Sequence, residues 1–141
     1  MTDPRDLALR DFADNRPLAH EVLFAGPRHG NRTPPFHREL IADFHSAIPF
    51  LCWIVFRGGG KSTISEEGTT VMGGLREFKH AFLVGSSLDK ACERLHAIRR
   101  IVEKNEVYAH TFGDLRGQPW SDERLEFNTG KIGRASCRER V

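Results

Sequence analysis

Residues 53–67 read WIVFRGGGKSTISEE, so three consecutive glycines join a ten-residue apolar run (47–56, AIPFLCWIVF) to the start of a helical pattern. A run of glycines at a strand-to-helix junction strongly limits the possible folds. Glycine lets the backbone turn its N–H groups inward, and the helix N-terminus adds partial positive charge. Lys61 then offers a mobile ammonium, and Ser62 a hydroxyl suited to Mg²⁺. The usual phosphate-loop pattern, G-x-x-x-x-G-K-[ST], has glycine at position 55, where this chain has Val55. That position lies at the strand exit, whereas Gly58, Gly59 and Gly60 stand beside the lysine, where a backbone must approach a phosphate. The competing reading is a tight glycine turn that ends in an exposed Lys-Ser. A buried strand before the loop and a helix after it favour the phosphate site.

The flanks are read on that basis. FLCWIVF (50–56) is continuous, aromatic and β-branched, which predicts a strand buried on both faces, as in the centre of a parallel sheet. A helix is expected from about Lys61 to Met72, with Gly73-Gly74 as its stop. HAFLVGSS (80–87) predicts a second strand. Ser86 or Ser87 then caps a helix over 88–105, whose apolar face is Leu88, Ala91, Leu95, Ile98 and Val102. YAHTFGDLRGQPWSDE (108–123) reads as a turn-rich connection, and RLEFNTG (124–130) as a strand with Leu125 and Phe127 on one side. Upstream, residues 1–19 carry a modest helical pattern and 25–35 read as a loop with three prolines and two glycines. FHRELIADFHSAI (36–48) spaces its apolar residues as an amphipathic helix that Pro49 ends. The order strand, loop, helix, strand, helix argues for an α/β sheet with crossover helices.

Composition sets the outer bounds. At 141 residues, 39% hydrophobic and 28% charged, the chain can bury one domain-sized core. No apolar run approaches the ~18–20 residues that span a bilayer. The N-terminus lacks the apolar centre of a signal peptide, so no membrane role is expected. Three separated cysteines give neither a disulfide framework nor a zinc pattern, which suits a reducing cytoplasm. The last eleven residues, KIGRASCRERV (131–141), have no hydrophobic period. They look like the translation of a sequencing-adapter oligonucleotide and are expected to be a non-native tail, after which the natural continuation is missing. Setting aside their four basic and one acidic side chains moves the net charge from +2 to −1, so net charge gives no case for nucleic-acid binding. The expected organisation is an N-terminal helix and loop over 1–33, a partial ATP-binding domain over 34–130, and the tail.

VFRGGGKST resembles the deviant phosphate loop of phage terminase large subunits, in which an arginine often lies within the loop and the first glycine is often replaced. PPFHRELIADFH (34–45) is similar to the helix that precedes the loop in these ATPases. FLVGSSLDKACERLHAIRRIVEKNEVYAHTFGD (82–114) and PWSDERLEFNTG (119–130) resemble the following strand, helix and hairpin, so the likeness runs from about 17 to 130. It implies an incomplete P-loop NTPase sheet of the RecA-like kind, and a motor that hydrolyses ATP to drive double-stranded viral DNA into a procapsid. The implied partners are the portal protein, the small terminase subunit and further copies in a ring, in the cytoplasm of an infected bacterium. The implied cofactors are ATP and Mg²⁺. Gly58, Gly59, Gly60, Lys61, Ser62 and Thr63 carry over as the phosphate site, with Ser62 as metal ligand and Lys61 and Arg57 as catalytic groups. Phe36 and His37 carry over to the neighbourhood of the adenine.

Such ATPases also need an apolar strand that ends in Asp, followed by a carboxylate that activates water. No stretch here fits, and Asp114, Asp122, Glu123 and Glu126 lie in polar or alternating contexts. In the family that motif follows the position of Gly130, so this piece is expected to bind nucleotide without turning it over. Asp114 reads as a turn residue. Arg57 either reaches a phosphate or pairs with Glu66 or Glu67. The seven histidines are scattered and show no metal-ligand spacing. Cys52 and Cys92 read as packing residues. Arg94, Arg99 and Arg100, interleaved with Glu93 and Glu103, read as a solvated face. Two other functions stay open: a helicase-like ATPase, and a non-enzymatic phage module with an idle glycine loop.

Overall fold

A computed structural model describes residues 4–26, 32–128 and 130–136. The chain divides into two compact units, Met1–Val71 and Met72–Val141. Both helices and strands are present, so the chain is a mixed α/β protein. Among the described residues no helix is long and apolar enough to cross a membrane. Residues 27–31 of the expected loop and 137–141 of the expected tail lie outside the described residues.

The first unit is helical. The weak pattern at the N-terminus resolves into α1 (Pro4–Asp14) and α2 (Arg16–Leu23). Asn15 separates them: its side chain accepts from Leu18 N–H at 3.2 Å, and Pro17 follows in the first turn, where a missing N–H costs nothing. α3 (Pro35–Phe44) starts on Pro35 for the same reason and ends four residues earlier than expected. α4 (Lys61–Gly74) begins on the lysine of the glycine loop, and its last three residues belong to the second unit. Leu40 and Ile41 of α3 and Ile64 of α4 form the core here, with Trp53 and Val55 packed against them.

That packing is all that remains of the expected central strand. Residues 50–56 belong to no strand. Trp53 and Val55 turn inward, whereas Phe50 is 91% exposed and Ile54 99%. Apolar, β-branched composition favours a strand only where a neighbour completes the hydrogen-bond ladder, and none does so among the described residues. Cys52, expected to be packed inside, is exposed for the same reason.

The second unit holds the sheet. β1 (His80–Gly85) leads to α5 (Leu88–Lys104), which is capped by Ser87 accepting from Lys90 N–H at 3.3 Å. Ala91, Leu95, Ile98 and Val102 are buried as expected, while Leu88 stays exposed. The turn-rich connection instead folds into α6 (Glu106–Phe112) and β2 (Arg116–Trp120). Asn105 caps α6, and Gly113 closes it at φ 79°. Asp114 is the expected turn residue: it accepts from Arg116 N–H at 3.1 Å and pairs with the Arg116 guanidinium at 2.9 Å. That pairing holds its carboxyl down to about 2. β3 (Arg124–Phe127) pairs antiparallel with β2 and buries Leu125 and Phe127.

β4 (Gly130–Ser136) lies between β1 and β3 in the order β1-β4-β3-β2, parallel to β1 and antiparallel to β3. The sheet is therefore mixed, not parallel throughout, and its one parallel pair uses residues expected to lie outside the fold. α4 ends within the Gly73-Gly74 pair expected to stop it, two residues past the expected Met72. The space where their side chains would stand is filled by the rings of Phe127 and Phe112, so the pair serves helix packing.

Candidate functional site

The glycine loop and the two elements that hold it all lie in the first unit. Gly58 and Gly60 have φ of 84° and 77°, a region that glycine enters without the clash a Cβ would bring. Between them Gly59 is buried, and its N–H donates to Phe56 C=O at 3.1 Å to close a tight turn. A Cβ on Gly59 would stand 2.5 Å from Val55 Cγ1 and 3.1 Å from Phe56 O. The valine that replaces the usual first glycine thus packs against the middle of the loop, and glycine is required there because Val55 is present.

The loop opens directly into α4. The bond from Ile64 N–H to Gly60 C=O, 2.9 Å, is the first of the helix. The N–H groups of Lys61, Ser62 and Thr63 therefore have no carbonyl one turn back to bond, and the helix dipole adds positive charge at the same place. Lys61 and Ser62 are half-buried and Thr63 is exposed, all within this first turn. Gly60 N–H has no acceptor within the protein among the described residues. Along α4, Ser65, Thr69 and Thr70 each donate a hydroxyl to the carbonyl four residues back, at 2.7–2.9 Å. These bonds satisfy the hydroxyls on the helix's own carbonyls, an arrangement that tends to bend a helix rather than to strengthen it.

Phe36 and His37, expected near an adenine, do stand beside the loop. The Phe36 ring lies 5.9 Å from that of Phe56 and 4.3 Å from that of His37. His37 Nε2–H donates to Gly59 C=O at 2.9 Å. Arg57 is exposed, and no described residue bonds or pairs with it. It does not pair with Glu67, because Glu67 is taken up elsewhere.

That second arrangement is one the scattered histidines gave no sign of. His20 of α2 is fully buried, and its Nδ1–H donates to the Glu67 carboxylate of α4 at 3.2 Å. Its Nε2 faces His45 Nε2, at the end of α3, at 3.0 Å, a distance that requires one shared proton between the two nitrogens. Burial, His20 and Arg16 together lower the His45 pKa from 6.5 to about 3, so its ring is neutral. These residues are 25 and 47 positions apart, so no local spacing could have found them. α2, α3 and α4 are thus tied by one buried polar chain. Among the described residues no group of three side chains is placed to hold a metal ion.

The groups at the loop suit a phosphate chain: N–H donors at a helix start, an ammonium and a hydroxyl. Of these groups Ser62 is the one suited to a metal, and among the described residues no cluster of ligating side chains joins it. Compared with protein-family models, with curated proteins and with solved structures, the chain matches none.

Proposed function

We propose that residues 57–63 seat the phosphates of ATP, with Lys61 beside the terminal phosphates and Ser62 as the Mg²⁺ ligand. The observation that carries this reading is the turn at Gly58–Gly60, which delivers Lys61 and Ser62 into the first turn of a 14-residue helix and leaves Gly60 N–H without an acceptor. The order of motifs along the chain extends the proposal to the ATPase of a phage terminase large subunit, a P-loop NTPase that packages double-stranded viral DNA. In that setting the portal protein, the small terminase subunit and further copies in a ring are its partners, in the cytoplasm of the infected bacterium. Residues 50–56 become a sheet strand there once a partner strand lies beside them. Arg57, exposed and unengaged, is the group that reaches toward the phosphates.

The exposure of residues 50–56 favours one competing reading, an idle glycine loop in a non-enzymatic module. Thermal unfolding with and without millimolar Mg²⁺–ATP separates the two. Binding at a hundred times the dissociation constant stabilises by about 2.7 kcal/mol, a shift of several degrees. Lys61→Ala removes that shift if the site is real. An unmoved melting temperature in both proteins leaves the idle loop as the answer.

A further inference from the structure

We propose that His37 is the positioning residue of the glycine loop, and that it fixes the Gly59–Gly60 peptide with its N–H turned toward the phosphate seat. The inference rests on the phosphate-site reading above. It replaces the role that the resemblance implied for His37, near the adenine, with one directed at the phosphates.

Two independent observations place the ring. His37 Nε2–H donates to Gly59 C=O at 2.9 Å. A Cβ on Gly60 would meet His37 Nε2 at 3.0 Å and Cε1 at 3.1 Å, so the ring occupies the space that the glycine leaves open. A carbonyl only accepts, which fixes the proton on Nε2. The peptide unit is planar and trans, so its C=O and N–H point in opposite directions. Holding Gly59 C=O toward α3 therefore turns Gly60 N–H away from α3. That N–H has no acceptor among the described residues. Were the peptide to flip, its carbonyl would take the place of the donor and meet an anion with negative charge. Glycines on both sides of a peptide make such a flip easy, and here one hydrogen bond from a neighbouring helix opposes it. α3 starts at Pro35, which places His37 in its first turns, beside the loop.

The test uses two ligands, Mg²⁺–ATP and inorganic tripolyphosphate, which has phosphates and no base. Titration calorimetry on the full chain is expected to show His37→Ala weakening both by about tenfold, since one oriented donor is lost. His37→Gln, whose amide N–H can reach the same carbonyl, restores most of both. Loss of ATP binding alone, with tripolyphosphate unaffected, returns His37 to the base and overturns the proposal. Unchanged affinities in His37→Ala overturn it too, while leaving the phosphate site intact. If the wild-type protein binds neither ligand and Lys61→Ala behaves the same, the phosphate reading itself fails, and this inference with it. Should His37→Ala not fold, ring-nitrogen NMR of the wild type decides: the Nε2–H form is expected, and the Nδ1–H tautomer sinks the proposal.

Discussion

Each glycine of the loop is needed for a different reason, and the three substitutions separate these reasons. Gly58 has φ 84° and open space where a Cβ would stand, so Gly58→Ala costs only backbone strain, about 1 kcal/mol. Gly60→Ala adds displacement of the His37 ring to the same strain. Gly59→Ala drives a methyl into the stiff, β-branched Val55 and a backbone carbonyl, an overpacking cost of about 1–3 kcal/mol. Chemical unfolding should rank Gly58→Ala as the mildest, and Val55→Gly should relieve much of the loss in Gly59→Ala. His45 supplies a second prediction at this scale. Its pKa in the fold, about 3, lies below the 6.5 of an unfolded histidine, so the folded state holds fewer protons. Its contribution is fully present above pH 6.5 and is lost as pH falls from there toward 3. Between pH 7 and 5 the stability should drop by about 1 kcal/mol, less than a fully buried ring would give. The titratable and charged groups around this ring are His20 and Arg16, with Glu67 beyond His20. His45→Gln keeps a donor for His20 and should flatten the urea midpoint over that range; an equally steep fall would rule His45 out as the source.

At the scale of elements, the contrast lies between α5 and residues 50–56. The apolar period of α5 and its Ser87 cap are local properties, and they survive in the structure almost unchanged. Ser87→Ala is expected to cost about 1 kcal/mol, read as a lower melting temperature. Residues 50–56 carry an equally clear signal for a strand, yet a strand is made by its neighbours. Substitution tests which description holds. Ile54 is 99% exposed, so Ile54→Thr should change stability by no more than about 0.5 kcal/mol. Trp53 packs on Leu40, Ile41 and Ile64, so Trp53→Ala should cost about 2 kcal/mol. A doubly buried strand would make the two comparably damaging.

At the scale of the molecule, the sheet of the second unit depends on β4. β1 is an edge strand whose one neighbour is β4. Truncation after Asn128 should abolish hydrogen-exchange protection in 80–85, whereas protection within α2 to α4 of the first unit should remain. Retained protection of β1 would show that β4 is dispensable. Here the sequence was a poor guide, because KIGRAS has neither alternation nor a buried run to mark it as a strand. Main-chain pairing makes few demands on composition, and a slot between two strands accepts a segment on its backbone alone.

What the sequence determined by itself is what short-range chemistry controls. The caps at Ser87 and Asn105, the prolines that open α2 and α3, the turn at Asp114 and the Gly-Lys-Ser entry to α4 all act within a few residues of their position. The tertiary structure alone decided what depends on distant partners: that residues 50–56 have no ladder, that His37 reaches Gly59, and that His20, His45 and Glu67 meet in one buried chain. A hydrogen bond across 22 or 47 residues leaves no period in the sequence, since only the packing of separate helices brings its two ends together.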